Sequence, residues 1–163
     1  MNSQTSVQSN NFPIVGVGSS AGGLEAFIQL LGKMPVDTGM AFILVQHLDP
    51  TQASLAVDII SKSTQLQIQE VEDGMRVVPN QIYVIPPNHN MNILDGVLHL
   101  LPRASTAGPH LTIDFFFQSL ALAAKSRAIG IVLSGTGADG TLGLKAIKAA
   151  GGISCAQEIE SAK

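Results

Sequence analysis

The chain alternates short apolar runs with stretches in which apolar residues recur at helical spacing. Residues 14–18 and 41–47 are apolar runs, which is typical of strands buried on both faces of a parallel sheet. Between them, apolar residues occur at positions i, i+3, i+4 and i+7 from Leu24 to Leu31, and Gly32 follows. This spacing predicts a helix that ends at the glycine and presents one apolar face to the sheet.

A second helix is predicted after residue 47. Asp49 has the side chain of an N-cap, and Pro50 suits the first helical position because it has no N–H to leave unpaired. The inner face of this helix is expected to contain Ala56, Ile59 and Ile60. The order strand, helix, strand, helix is typical of a parallel sheet covered by helices.

Residues 66–102 have a different pattern. Short β-like runs are separated by turn residues, and Asp95-Gly96 is the dipeptide of a tight hairpin. We interpret this region as an antiparallel insertion or sheet edge. A helix over about 113–125 is predicted to follow, on the 3.6-residue spacing of its apolar positions, with these inner-face residues: Phe117, Leu120, Ala121 and Ala124.

The alternation of strands and helices returns after this helix. Residues 128–134 form another apolar run, and residues 152–156 resemble one more strand. A helix is predicted between them, and its inner face is expected to contain Leu142, Ala146 and Ala149. The chain therefore predicts a doubly wound α/β fold with a mostly parallel sheet and an antiparallel edge or hairpin insertion.

The ends of the chain differ from its middle. Residues 1–12 are rich in Ser, Asn and Gln and are predicted to be a disordered tail, with residues 13–163 as one domain. A doubly wound domain ordinarily covers its last strand with a further element. We expect that C-terminal element to be missing, so that the domain is truncated and its apolar edge favours self-association.

Composition and charge exclude several classes of function. The 163 residues carry a formal net charge of −3, so no broad basic surface for nucleic acid is expected. No apolar run approaches the ~20 residues of a membrane span, and the N-terminus lacks the pattern of a signal peptide. The single cysteine, Cys155, cannot form an internal disulfide, which favours a cytoplasmic location and a role as a small buried hydrophobe.

Three polar residues follow three of the predicted strands. Ser20 follows the first, His47 ends the second, and Asp139 lies in the loop after residues 128–134. Ligands of open parallel sheets bind outside the carboxyl ends of the strands, which lie about 4.8 Å apart. These are the parts of an acyl-transfer triad, in which His47 takes the proton of Ser20 and Asp139 orients His47. Helix N-termini after Ser20 and after Gly137 would supply N–H donors to the oxyanion.

Each of these three residues also has a purely structural interpretation. Taken singly, Ser20 fits a turn residue or helix cap, His47 a structural residue and Asp139 a helix cap. The segment from Gly16 to Ala21 also satisfies the nucleotide-binding pattern G-x-G-x-x-[G/A]. That pattern expects an acid at the end of the second strand, whereas Asp37 precedes that strand. A Rossmann-like nucleotide-binding domain is therefore the weaker alternative.

Four stretches of the chain carry a resemblance to a known family. They are VGVGSSAGGLEAF, FILVQHLDP, IYVIPPNHN and GIVLSGTGADGTLGLKAIKAAGG. With these motifs, residues 12–163 resemble the catalytic domain of the chemotaxis protein-glutamate methylesterases (CheB), in the form that opens methylesterase/methyltransferase fusion proteins. The resemblance implies an α/β fold that uses no metal and no organic cofactor.

The resemblance also implies roles for particular residues. The nucleophile of the family falls on Ser20, the histidine of its Gln-His motif on His47, and the aspartate of its Gly-x-Gly-x-Asp-Gly motif on Asp139. The residues implied near the oxyanion and at the substrate rim are Ala21, Thr136, Ser19, Pro87 and Asn88.

The implied activity is hydrolysis of γ-glutamyl methyl esters on methylated chemoreceptor helices or a related signalling protein, with release of methanol. Some members also deamidate receptor glutamines. Compared with the family, we expect this protein to lack a receiver domain before the first motif, and a Gly-Met-Pro motif and final helix after the last one. A non-catalytic interaction module of two-component signalling is therefore the second hypothesis.

Overall fold

The fold is described from a computed structural model, which covers residues 11–20, 22–47, 53–103, 110–134 and 137–162. The strands are β1 (Ile14–Ser19), β2 (Ala41–Gln46), β3 (Gln67–Glu70), β4 (Met75–Arg76), β5 (Gln81–Val84), β6 (His89–Leu94), β7 (Val97–Pro102), β8 (Ala128–Leu133) and β9 (Ile153–Ala156). The helices are α1 (Gly23–Leu31), α2 (Ala53–Ser61), α3 (Thr112–Ala124) and α4 (Thr141–Ala149). Most of the predicted tail, and the predicted cap residues Asp49 and Pro50, lie outside the described residues.

Six strands form one sheet in the order β3-β5-β2-β1-β8-β9. All of its pairings are parallel. β1 lies in the middle, where Ser19 pairs with Gln46 on one side and with Leu133 on the other. The predicted α/β fold with a mostly parallel sheet is confirmed.

Both faces of the sheet are covered because successive side chains of β1 point in opposite directions. Val15 and Val17 belong to an apolar cluster with Phe27 of α1 and Ile60 of α2. Ile14 belongs to a second cluster, which includes α3, α4 and a smaller sheet. The result is three layers, with the carboxyl ends of the parallel strands free along one edge.

Two glycines of β1 let α3 lie close to the central sheet. A Cβ atom at Gly16 would lie 2.8 Å from Cε1 of Phe117, which is closer than Cβ atoms approach a neighbour. A Cβ at Gly18 would overlap Cγ2 of Ile113. The absence of a side chain at both positions brings the N-terminal turn of α3 next to the end of β1.

The region over residues 66–102 is divided between two sheets. β4, β7 and β6 form a three-stranded antiparallel sheet, and Asp95-Gly96 makes the predicted hairpin turn with φ values of 50° and 76°. The prediction was wrong for β3 and β5, which pair in parallel within the main sheet. Ile82, Tyr83 and Val84 of β5 are buried, and only a position inside the covered sheet buries both faces of that strand.

Several predicted inner-face positions are exposed. Ile59 of α2 is 42% exposed and Leu142 of α4 is 53% exposed, and Ala149 is exposed as well. α4 instead buries Gly143 and Ile147. A Cβ at Gly143 would overlap Phe117 Cβ, so close contact with α3 at this glycine sets the rotation of α4.

Cys155 is exposed, contrary to the prediction of a buried hydrophobe. Its neighbour Ser154 donates a hydrogen bond to Leu144 O of α4, so Cys155 points to the opposite face of β9. On that face α1 contacts β1 and β8, which lie further into the sheet. The side chain of Cys155 is therefore left uncovered at the sheet margin.

The described part of the chain begins close to the sheet. Phe12 is partly buried against the cluster that contains α3, although residues 1–12 were predicted to be a tail. Within the described residues, no helix has both the length and the apolar character needed to cross a membrane.

Candidate active site

Three strand ends meet at the carboxyl edge of the sheet. β1 leads into Ser20, β2 leads into His47, and β8 leads into Ser134. Because β1 pairs with both other strands, these residues leave the sheet side by side. A cavity of about 260 Å³ opens there, lined by Ser19, Ser20, His47, Ile113, Val132, Ser134, Gly137 and Asp139.

His47 and Asp139 form a direct pair in this cavity. His47 Nε2 donates to Asp139 Oδ2 at 2.7 Å. The side chain of His47 is 34% exposed and that of Asp139 is 10% exposed, so the pair is partly shielded from water. With Nε2 engaged, Nδ1 is the ring nitrogen left to accept a proton from a hydroxyl.

Asp139 is also held by the first turn of α3. Its Oδ1 accepts from Asp114 N at 2.8 Å, and its Oδ2 accepts from Ile113 N at 3.0 Å. Burial raises the pKa of Asp139, but the hydrogen bonds from His47, Asp114 and Ile113 together lower it below its usual value of 3.8. Asp139 is therefore an anion near neutral pH, as required of a group that orients and stabilises an imidazolium.

Ser20 lies in the same cavity but its hydroxyl is bonded elsewhere. Ser20 Oγ and Ser20 N both donate to Ser134 O at 3.2 Å. Ser134 has φ 38°, an uncommon backbone conformation for a residue other than glycine, at the end of β8. Among the described residues, Ser20 has no hydrogen bond to His47, so rotation about its Cα–Cβ bond is needed to complete a relay.

Two buried polar side chains lie directly beneath Ser20 and His47. Gln46 Nε2 donates to Ser19 Oγ at 2.9 Å, and these residues are 5% and 1% exposed. This hydrogen bond crosses from β2 to β1 one residue before His47 and Ser20. Ser19, which was predicted at the substrate rim, lines the cavity, but its buried hydroxyl mainly joins β1 to β2 through this hydrogen bond.

The predicted oxyanion donors are only partly described. Ala21 and Thr136 lie outside the described residues. At the start of α4, Gly140 N and Gly143 N donate to Asp114, and Thr141 N donates to Ala138 O. These α4 amides are therefore occupied, which weakens the expectation that this helix terminus serves an oxyanion.

Pro87 and Asn88 lie at the same edge of the sheet, in the turn between β5 and β6. Neither lines the cavity that contains Ser20. Pro87 O accepts from His89 Nδ1 at 2.7 Å, and Asn88, with φ 58°, accepts at its backbone oxygen from Arg103 N. Their expected place at a substrate rim stays a prediction.

The glycines of the nucleotide-binding pattern do not form a loop. Gly16 and Gly18 lie inside β1, beneath α3. A dinucleotide fingerprint needs its glycines in the turn between strand and helix, where backbone N–H groups can approach a pyrophosphate. The position of both glycines therefore argues against the Rossmann-like alternative.

Comparison with known proteins identifies the family. A family model described as CheB methylesterase matches residues 15–163. The chain belongs to the CheB methylesterase family. This confirms the resemblance that the sequence motifs carry.

Similar proteins extend this result. A protein-glutamate methylesterase/protein-glutamine glutaminase from Photorhabdus laumondii is 33% identical over 149 residues, which cover 89% of this chain and 42% of that protein. Protein-glutamate methylesterase/protein-glutamine glutaminase 2 from Pseudomonas syringae is 34% identical over 146 residues, which cover 89% of this chain and 44% of that protein. The chain thus spans less than half the length of these curated relatives.

A solved structure supports the fold. The crystal structure of the Thermotoga maritima CheB methylesterase catalytic domain superposes with a TM-score of 0.84 at 26% identity. The match covers 93% of this chain and 82% of that chain. The three-layer arrangement described above is therefore the fold of a CheB catalytic domain.

Sequence reasoning did not single out Asp114 or Ser134. Asp114 is an acidic residue in the first turn of a predicted helix, which usually indicates only a favourable interaction with the helix dipole. Gln46 could have been found from the sequence, because a polar side chain at the end of a buried apolar strand needs a hydrogen-bond partner.

Proposed function

We propose that this chain is a serine esterase that hydrolyses γ-glutamyl methyl esters on chemoreceptor helices. Deamidation of glutamines at the same positions is part of the proposal. The observation that carries it is the hydrogen bond of 2.7 Å between His47 and Asp139, in the cavity that Ser20 also lines. The names of the relatives support the substrate class.

The proposed reaction begins with rotation of the Ser20 side chain away from Ser134 O. His47 Nδ1 then accepts the hydroxyl proton while Ser20 Oγ attacks the ester carbonyl carbon. Asp139 stabilises the imidazolium through Nε2–H. The tetrahedral intermediate collapses when His47 donates its proton to the methoxy oxygen, so that methanol leaves and a glutamyl ester of Ser20 remains.

Water completes the cycle. His47 accepts a proton from the water molecule as it attacks the acyl-serine, and returns that proton to Ser20 Oγ. The products are free enzyme and glutamate, whose new carboxylic acid releases its proton to solvent near neutral pH. With glutamine as substrate the same steps release ammonia. We assign the oxyanion contacts to the backbone amides of Ala21 and Thr136, on the family resemblance alone.

The test is methanol release from a methylated chemoreceptor fragment. Ser20→Ala should reduce kcat by more than about a thousandfold, since the nucleophile is removed. Ser61→Ala is the matched control, because Ser61 is an exposed serine at the end of α2. Equal rates for the wild-type protein and Ser20→Ala would contradict the proposal.

The second candidate is a non-catalytic interaction module in a signalling pathway. The hydrogen bond of Ser20 Oγ to Ser134 O, in place of one to His47, favours it. A cooperative thermal transition combined with no methanol release above background would support this candidate. Either result leaves the family assignment unchanged.

We further propose that β9 mediates association with a second copy of this chain. β9 forms one edge of the described sheet, and Ile153 on it is 56% exposed. An unpaired strand edge with exposed apolar side chains favours pairing with another strand. A cytoplasmic site of action, expected from the single cysteine, belongs to the same proposal.

A further inference from the structure

The helices α3 and α4 both begin without a cap of their own. The N-cap residue of α3 is Leu111 and that of α4 is Gly140, and neither makes a side-chain capping hydrogen bond. Helix starts leave several backbone N–H groups unpaired, so acceptors must come from elsewhere when these groups are buried. Here the acceptor for each helix start comes either from the other helix or from the loop that leads into the other helix.

The exchange is reciprocal and involves two aspartates. Asp139, just before α4, accepts from Ile113 N and Asp114 N in the first turn of α3. Asp114, in that first turn, accepts at Oδ1 from Gly140 N at 3.0 Å and from Gly143 N at 2.6 Å. Asp139, which precedes α4, therefore caps α3. Asp114, which lies in α3, caps α4.

The two helices are packed tightly where this exchange occurs. Asp114 is 4% exposed. A Cβ at Gly143 would overlap Phe117 Cβ, and a Cβ at Gly140 would lie 2.8 Å from Val132 Cγ2. Without Asp114, two buried glycine N–H groups would lose their acceptor, and a buried unpaired donor is unfavourable. The segment from Asp139 to Gly143 would then have to shift relative to α3.

We propose that Asp114 is a positioning residue for the triad, acting through Asp139. This inference rests on the proposed esterase function. Asp114 does not line the cavity of Ser20 and His47, so it does not touch a substrate there. It fixes the loop that carries Asp139, and Asp139 in turn holds Nε2 of His47, which leaves Nδ1 as the ring nitrogen available to accept a proton.

The test compares Asp114→Ala with Asp114→Asn. The amide oxygen of Asn can still accept from both glycine N–H groups, whereas Ala cannot accept from either. Ser119→Ala is the matched control, because Ser119 also lies on α3 and makes two hydrogen bonds, to Phe116 O and from Ile93 N. Urea unfolding of the three variants separates loss of stability from loss of positioning.

Two measurements report positioning directly. The first is the downfield NMR signal of the His47 Nε2 proton in protein with ¹⁵N-labelled histidine, assigned by its loss in Asp139→Asn. The second is the separation of kcat from KM in methanol release. We expect Asp114→Ala to shift or broaden the His47 signal and to lower kcat about tenfold to a hundredfold, with KM nearly unchanged, because small misplacements of catalytic groups have effects of this size.

Rescue distinguishes positioning from general destabilisation. Asp114→Asn should retain the His47 signal and a kcat within about threefold of wild type, as should Ser119→Ala, since in both the caps of α3 and α4 are preserved. A wild-type His47 signal in folded Asp114→Ala would overturn the proposal. So would an Asn variant as impaired as the Ala variant.

A further variant covers the case in which Asp114→Ala does not fold. Asp114→Glu keeps the carboxylate but displaces it by one methylene, and we expect it to shift the His47 signal. An unchanged signal there would also overturn the proposal. The NMR readout does not require esterase activity, so failure of the proposed function in the Ser20→Ala test is distinguishable from failure of this inference.

Discussion

Asp139 illustrates how one carboxylate can combine a structural role with a proposed chemical one. Its carboxylate caps α3 through Ile113 N and Asp114 N and at the same time accepts from His47 Nε2. Burial alone would favour the neutral acid, but these three donors favour the anion. A carboxylate held in this way keeps the imidazole in the tautomer that leaves Nδ1 free to act as a base.

The lowered pKa of Asp139 predicts a pH dependence of stability. The stabilising contribution of a carboxylate with a lowered folded pKa is fully present above its unfolded value of 3.8 and is lost as the pH falls through the folded pKa. We expect the free energy of unfolding of the wild-type protein to decrease below about pH 4 more steeply than that of Asp139→Asn. Urea unfolding between pH 2 and 7, a range that brackets ordinary carboxyl pKa values, measures this difference.

The exposed Asp37 provides the control for this measurement. Asp37→Asn removes a carboxylate that makes no ion pair in the described structure. Its unfolding free energy should follow the wild-type curve. Parallel curves for the wild-type protein and Asp139→Asn in acid would contradict the assigned role of the three hydrogen bonds.

At the scale of elements, the geometry of the candidate active site depends on how closely α3 packs against β1 and α4. Gly16 and Gly18 allow contact between α3 and the sheet, and Gly143 allows contact between α3 and α4. The periodicity of α4 could not predict this, because it favoured Leu142 and Ala149 as inner residues. The contact between Gly143 of α4 and Phe117 of α3 outweighed the apolar periodicity of α4.

Gly143→Ala is expected to destabilise the protein by about 2 kcal/mol, in the range found for overpacked sites. The added methyl group would overlap Phe117 Cβ, and neither backbone can move without disturbing the hydrogen bond from Gly143 N to Asp114. Urea unfolding measures the change. The control is Gly32→Ala, where the nearest atom to the added Cβ is 3.5 Å away and a neutral or slightly stabilising effect is expected. Equal stability of the two variants would contradict this account of the α3–α4 contact.

At the scale of the whole molecule, the two edges of the sheet differ in their surroundings. β3, at one edge, contacts α2 and consists mostly of polar residues, Gln67, Gln69 and Glu70. β9 has α4 on one face, but the face that carries Ile153 and Cys155 is exposed. This exposed face of β9 is where association with a second copy is proposed.

Ile153→Lys tests this association. We expect the wild-type protein to show a concentration-dependent sedimentation coefficient and the variant to sediment as a monomer, since a charged residue on an edge strand opposes pairing. Leu122→Lys is the matched control, because Leu122 is 79% exposed but lies on α3. The buffer contains a reductant so that Cys155 cannot cross-link copies. A wild-type protein that sediments as a monomer at all concentrations would contradict the proposal.

The sequence alone determined the alternation of strands and helices, the positions of Ser20 and His47 at strand ends, and the position of Asp139 in the loop after β8. It also determined the family, through motifs that surround those residues. These properties follow from neighbours along the chain: apolar periodicity specifies an element, and the end of a buried parallel strand specifies the edge of the sheet at which a side chain emerges.

Only the tertiary structure decided which of these groups are bonded to one another. It placed the hydroxyl of Ser20 on Ser134 O, made Asp114 the cap of a distant helix, joined β3 and β5 to the parallel sheet and left Cys155 exposed. Each of these outcomes depends on contacts between segments remote in sequence. The element that packs against a group supplies its hydrogen-bond partner, and the element that packs against a strand covers its face. The local sequence pattern does not specify which distant element that is.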